Sequence, residues 1–129
     1  MVDEYVNGLG VKAFKDGAIA QGAALSAAVD GGGPTASALQ LPAANAWTDA
    51  NITFDGSFDD VTYGPVLADT HNTEYVVTMP ATAALKSQIV PLDLDVFAGI
   101  RYLKIRSGTA ATPVNQAAAR SIRIAFRPV

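Results

Sequence analysis

Alternation of apolar and polar side chains is clearest in the last third of the chain. In Ile100-Arg101-Tyr102-Leu103-Lys104-Ile105-Arg106, Leu103 and Ile105 point one way, Lys104 and Arg106 the other. Ser121 to Arg127 alternates more cleanly, with Ile122, Ile124 and Phe126 inward and Arg123 and Arg127 outward. Side chains on a strand switch face at every residue, so both segments predict half-buried strands. Ser107 to Ala119, polar and small, reads as the loop between them.

Upstream the signals are shorter. Ala18 to Val29 is mostly apolar until Asp30-Gly31-Gly32-Gly33-Pro34 interrupts it; glycine supplies positive φ and proline removes a donor. Thr35 to Leu41 predicts a strand with Leu39 and Leu41 on one side, closed by Pro42. Ile52 and Phe54 share a face, Asp55 to Asp60 forms a loop, and Val61 to Val66 returns as a short strand. After a turn at Asp69 to Asn72, Glu74 to Thr78 is rich in strand-forming residues. Pro80 to Lys86 reads as a connection, and Leu92-Asp93-Leu94-Asp95 as an amphipathic extended segment.

Short strands between turns, with no sustained helical period, predict an all-β fold: a single antiparallel β-sandwich, jelly-roll-like. Phe54, Leu103, Ile105, Ile122, Ile124 and Phe126 form its expected core. Residues 1–16 are weakly patterned and read as an extended N-terminal arm, leaving 17–129 as the sandwich domain.

Composition sharpens this picture. The 129 residues suit one domain, and half are apolar, many of them alanine. Small side chains suit thin β-layers or flat surfaces buried against a partner. There is no cysteine, so neither disulfides nor thiolate metal sites arise. The start, with Asp3 and Glu4, is unlike a secretory signal, and no apolar run is long enough for a membrane helix, so no membrane partner is expected.

The net charge of −3 hides a gradient. No acid follows Asp95, whereas Arg101, Lys104, Arg106, Arg120, Arg123 and Arg127 all do. A basic segment suggests nucleic acid. The overall charge is acidic, and Tyr102 and Phe126 do not interleave the arginines as a stacking platform requires, so no nucleic-acid partner is expected. The simpler expectation is that these bases pair with acids of neighbouring strands.

Candidate chemistry is thin. His71, the only histidine, sits in a polar turn with no nucleophile signature around it. Asp55, Asp59 and Asp60 supply oxygens of the kind Ca²⁺ takes, but without EF-hand spacing, and a turn explains them better. Asp93 and Asp95 lack a second signal for glycoside chemistry. The glycine run has no Lys-Ser/Thr after it and is no phosphate loop. Trp47, Tyr63, Tyr75 and Tyr102 offer aromatic faces for a sugar. No catalytic, cofactor or metal site is expected.

One stretch adds more. Arg101-Tyr102-Leu103-Lys104-Ile105-Arg106-Ser107-Gly108-Thr109, continuing to Pro113-Val114-Asn115-Gln116, resembles the endings of small β-domain structural proteins of tailed bacteriophage virions. Leu25 to Asp30, Gln40-Leu41-Pro42, Trp47, Ile52-Thr53-Phe54, Gly56-Ser57 and Glu74-Tyr75 fit the same pattern, which spans residues 18–129. Gly31 to Pro34 and Ala43 to Ala46 depart from it. The resemblance implies a virion component without catalysis, made in the host cytoplasm and placed on the capsid surface as a decoration or cement protein. Its partners would be the major capsid protein or other virion proteins, and its own copies in a homo-oligomer. A head–tail connector or tail component is the alternative within that class, and a module for host-surface glycans the alternative outside it. The expected interface combines Tyr5, Val6, Val11 and Phe14 with Arg101, Lys104, Arg106, Arg123 and Arg127.

Overall fold

The computed structural model describes residues 14–41, 47–48, 50–79 and 87–127. These form β1 (Phe14–Ile19), β2 (Val29–Asp30), β3 (Thr35–Leu41), β4 (Ile52–Ser57), β5 (Gly64–Pro65), β6 (Gln88–Pro91), the helical turn α1 (Leu94–Phe97), β7 (Tyr102–Ser107) and β8 (Arg120–Arg127). Two four-stranded sheets result, in the orders β1-β8-β3-β6 and β2-β7-β4-β5.

That order is a rolled hairpin. β4 pairs with β5, β3 with β6, β2 with β7 and β1 with β8, each antiparallel. Rolling adds the pairs β3–β8 and β4–β7. Only the β4–β5 connection stays within one sheet, and every other connection crosses between the two. The expected all-β sandwich is therefore a jelly roll.

Alternation along the strands fills the space between the sheets. Phe54, Leu103, Ile105, Ile122, Ile124 and Phe126 are all buried in one cluster with Ile19, Leu39, Leu41, Ile52 and Phe97. The layers approach closely at Gly17, where a Cβ would lie 2.5 Å from Ile105 Cδ1. Phe97 meets Phe54 and Tyr75 edge-on, with centroids 5.1 Å away in each case, a favoured aromatic geometry.

Five expectations need correction. Asp55, Gly56 and Ser57, expected in a loop, extend β4, because each pairs in register with β7. Phe14, Lys15 and Asp16 belong to β1 rather than to an arm, because each pairs in register with β8. Leu92 to Asp95 is not extended throughout: Leu94 and Asp95 open α1, which Asp93 caps, its side chain accepting from Asp95 N–H at 3.0 Å. Val61 to Val66 yields only the two residues of β5, the preceding residues being held in side-chain-capped turns. Glu74 to Thr78 makes only isolated bridges, Leu67–Glu74 and Ile52–Val77. The connection at 80–86 and Tyr5, Val6 and Val11 lie outside the described residues. No helix among the described residues is long and apolar enough to cross a membrane.

Candidate interaction site

The roll decides what the charge gradient does. Because late strands lie between early ones, late bases meet early acids. Arg101 donates to both carboxylate oxygens of Asp30, at 2.9 and 3.1 Å. Arg123 donates to Asp16 across β1–β8 at 3.0 Å. Arg106 reaches Asp55 on β4 and Glu74 at 3.2 Å. The pairing expected from sequence is present for these three of the six late bases; Arg120 instead donates to Gln116, and Lys104 lies over the Tyr63 ring. The guanidinium of Arg101, with the Gly32 N–H and the nearby cations assisting, holds the Asp30 carboxyl below its ordinary range.

Arg106, however, is not a surface residue. Its side chain is only 8% exposed, with Asp55 at 16% and Glu74 at 18%. Glu74 also accepts from the Ala110 N–H, while Thr53, hydrogen-bonded to Arg106, donates to the Gly108 carbonyl at 2.8 Å. Alternation put Arg106 on the correct face, but loops from two distant parts of the chain roof that face. Arg106 therefore leaves the expected interface. Nearby, Gln116 is buried and ties Thr48 N–H and C=O to Ser107.

Of the other expected contact residues, Phe14, Arg123 and Arg127 share the outer face of the β1-β8-β3-β6 sheet. Arg123 lies over the Phe14 ring at 4.3 Å. Lys104 covers the Tyr63 ring at 4.1 Å on the other sheet, and Arg101 lies over Tyr102. The structure thus separates the candidates into two groups.

Two surface features carry no signal strong enough to be read from sequence. On the outer face of the first sheet, Phe14, Ala38, Ile89, Ala125 and Arg123 line an apolar groove of about 150 Å³, with Ile89 73% exposed. Only the register of β3 with β6 places Ile89 beside Gln40 and reveals this face. On the second sheet, the loop after β4 presents Phe58 and Val61 at 79% and 81% exposure. Single exposed apolar residues are ordinary, whereas contiguous apolar patches are candidates for contact sites.

The Phe58 loop is tightly held. Ser57 Oγ accepts from the N–H groups of Asp59 and Asp60, and Asp59 Oδ1 accepts from Val61 and Thr62 N–H at 2.9 Å each. Those N–H donors, with the Ser57 hydroxyl, hold the Asp59 carboxyl below its ordinary value. Tyr63 donates to Asp60, and desolvation together with that bond pushes the phenol up to about 12. Asp60 adopts φ 63°, a left-handed conformation that aspartate tolerates in turns. Asp55, Asp59 and Asp60 thus face an arginine, backbone amides and a tyrosine respectively, rather than one shared centre. Behind the loop lies an open cleft of about 440 Å³ walled by Val66, Val96, Ile100 and Tyr63.

The remaining candidates separate as well. His71 is 85% exposed, 4.0 Å from Asp69. Trp47 is buried and donates to the Ala50 carbonyl, and Tyr75 is half-buried with its ring packed against Phe54 and Phe97, so neither stands out as a sugar platform. No family model, curated protein or solved structure matches the chain.

Proposed function

We propose that this chain is a non-enzymatic structural protein of a virion, a capsid decoration or cement protein that docks on the capsid shell. The observation that carries the reading is a cross-braced sandwich bearing preformed apolar surfaces, Ile89 on one sheet and Phe58 with Val61 beside the other. A decorating protein gains affinity from such rigidity, because little side-chain or loop freedom is lost on binding. Jelly rolls recur in viral capsid domains, and also in lectins and cupins, so the fold alone does not choose. The resemblance of Arg101 to Gln116 to tailed-phage structural proteins supplies the choice.

Cosedimentation of the protein with capsids that lack it, over a salt series, tests the reading. Saturable binding that raises capsid resistance to heat or osmotic shock is the expected outcome. Absence of binding at every salt concentration rejects shell decoration and favours the head–tail connector or tail position.

A further inference from the structure

The two exposed apolar surfaces carry charges of opposite sign beside them. The Phe58 loop is a knob: two large apolar side chains flanked by the carboxylates of Asp59 and Asp60. The outer face of β1-β8-β3-β6 is a groove floored by Ala38 and Ala125 and walled by Phe14 and Ile89. Arg123 and Arg127 stand on the same strand face as Ala125, so the groove has a basic side. Arg123 keeps its bond to Asp16 and its place over Phe14, and its charge is shared rather than spare.

We infer that the knob of one copy of this chain seats in the groove of a second copy, with Phe58 against Ile89, Ala38 and Ala125 and the knob's acids toward Arg127 and Arg123. The inference goes beyond shell decoration and does not depend on it. The knob and the groove lie on different sheets of the same molecule, so one copy joins another head to tail. Such contacts close into rings or continue as chains, depending on the rotation between neighbours. The locked turn matters here. Phe58 is already held out from the surface by the Ser57 and Asp59 hydrogen bonds, so docking orders little that is not ordered beforehand. The acids disfavour an anionic lipid surface as the knob's target, and the basic rim of the groove supplies the opposite sign within the same chain.

Sedimentation velocity across a concentration series tests the contact on the full chain. The wild type is expected to self-associate, more weakly as salt rises. Phe58→Asp and Ile89→Asp should each sediment as monomers. Both positions are largely exposed, so thermal melts should match the wild type and certify folding. Mixing the two variants is the decisive arm: the intact groove of the first meets the intact knob of the second, and a two-chain species should return. A wild type that stays monomeric at all concentrations, a single variant that keeps the wild-type assembly, or a mixture that stays monomeric would each overturn the inference. Shell binding is measured separately, so the two readings fail independently.

Discussion

The outer faces of the two sheets start from the same sequence pattern and end differently. On β8, Arg123 and Arg127 alternate with buried Ile122, Ile124 and Phe126; on β7, Lys104 and Arg106 alternate with buried Leu103 and Ile105. Yet the Arg123 side chain is 45% exposed and that of Arg106 only 8%. The segments carrying Glu74 and Ala110 fold over the second sheet and seal Arg106 in, whereas the groove at Ile89 stays open among the described residues. Alternation fixes which face a residue takes. Whether that face is wet depends on what later crosses it.

Removing Arg106 tests this difference most severely. Arg106→Ala leaves Asp55 and Glu74 half-sealed without their cation, and should cost about 3–5 kcal/mol in denaturant unfolding. A loss near zero would mean that the roof opens and water reaches the carboxylates. The inner face provides the reference: Ile124→Ala should cost about 2–5 kcal/mol, and an unchanged melting temperature would place the side chain outside the core. On the open face, Arg123→Ala should cost only about 0.2–1 kcal/mol, as exposed ion pairs do. An effect as large as that of Arg106 would erase the contrast between the faces.

The smallest expected effect is in acid. The carboxyls of Asp30 and Asp59 titrate below their ordinary value of 3.8 in the folded chain. A depressed folded-state pKa contributes stability that is full above the unfolded value and fades as pH falls through the folded one. Asp59 is exposed and Asp30 partly so, so the change should be a modest late loss below about pH 4. Carboxyl ¹³C shifts followed by NMR should show both midpoints below 3.8. A midpoint at or above that value would mean, for Asp59, that the Phe58 turn is not locked and, for Asp30, that its pairing with Arg101 does not hold.

Sequence gave away the inner faces because a strand's period is short and local. Phe54, Leu103, Ile105, Ile122, Ile124 and Phe126 needed no knowledge of partners. The charge gradient was legible for the same reason, since bases gathered at one end of the chain require acids from the other. What was hidden is non-local or very short. α1 is a single turn and displays no period, so Asp93 reads as part of an alternating strand until its capping bond is seen. β1 starts at Phe14, earlier than its weak pattern suggests, because pairing with β8 overrides local preference. On the groove face, the outward direction of Arg123 and Arg127 was legible, whereas Phe14 read as part of an arm. Ile89 and Phe58 were not legible, since exposure is set by neighbours distant in sequence.

The rolled hairpin also dictates an order of events in time. Its innermost pair, β4–β5, closes through one short loop, while Asp16 and Arg123 on the outermost pair are 107 positions apart. Closing long loops before short ones forfeits chain entropy without prior contacts to offset it, so pairing should spread outward from the tip. Folds so rich in distant pairings take about milliseconds to seconds to complete. Pulse-labelled amide exchange should find β4 and β7 protected before β1, and simultaneous protection would refute the sequence of steps. Until β1 docks, β8 presents an open edge, and that interval is when a crowded cell full of identical chains is most able to join the wrong strands together.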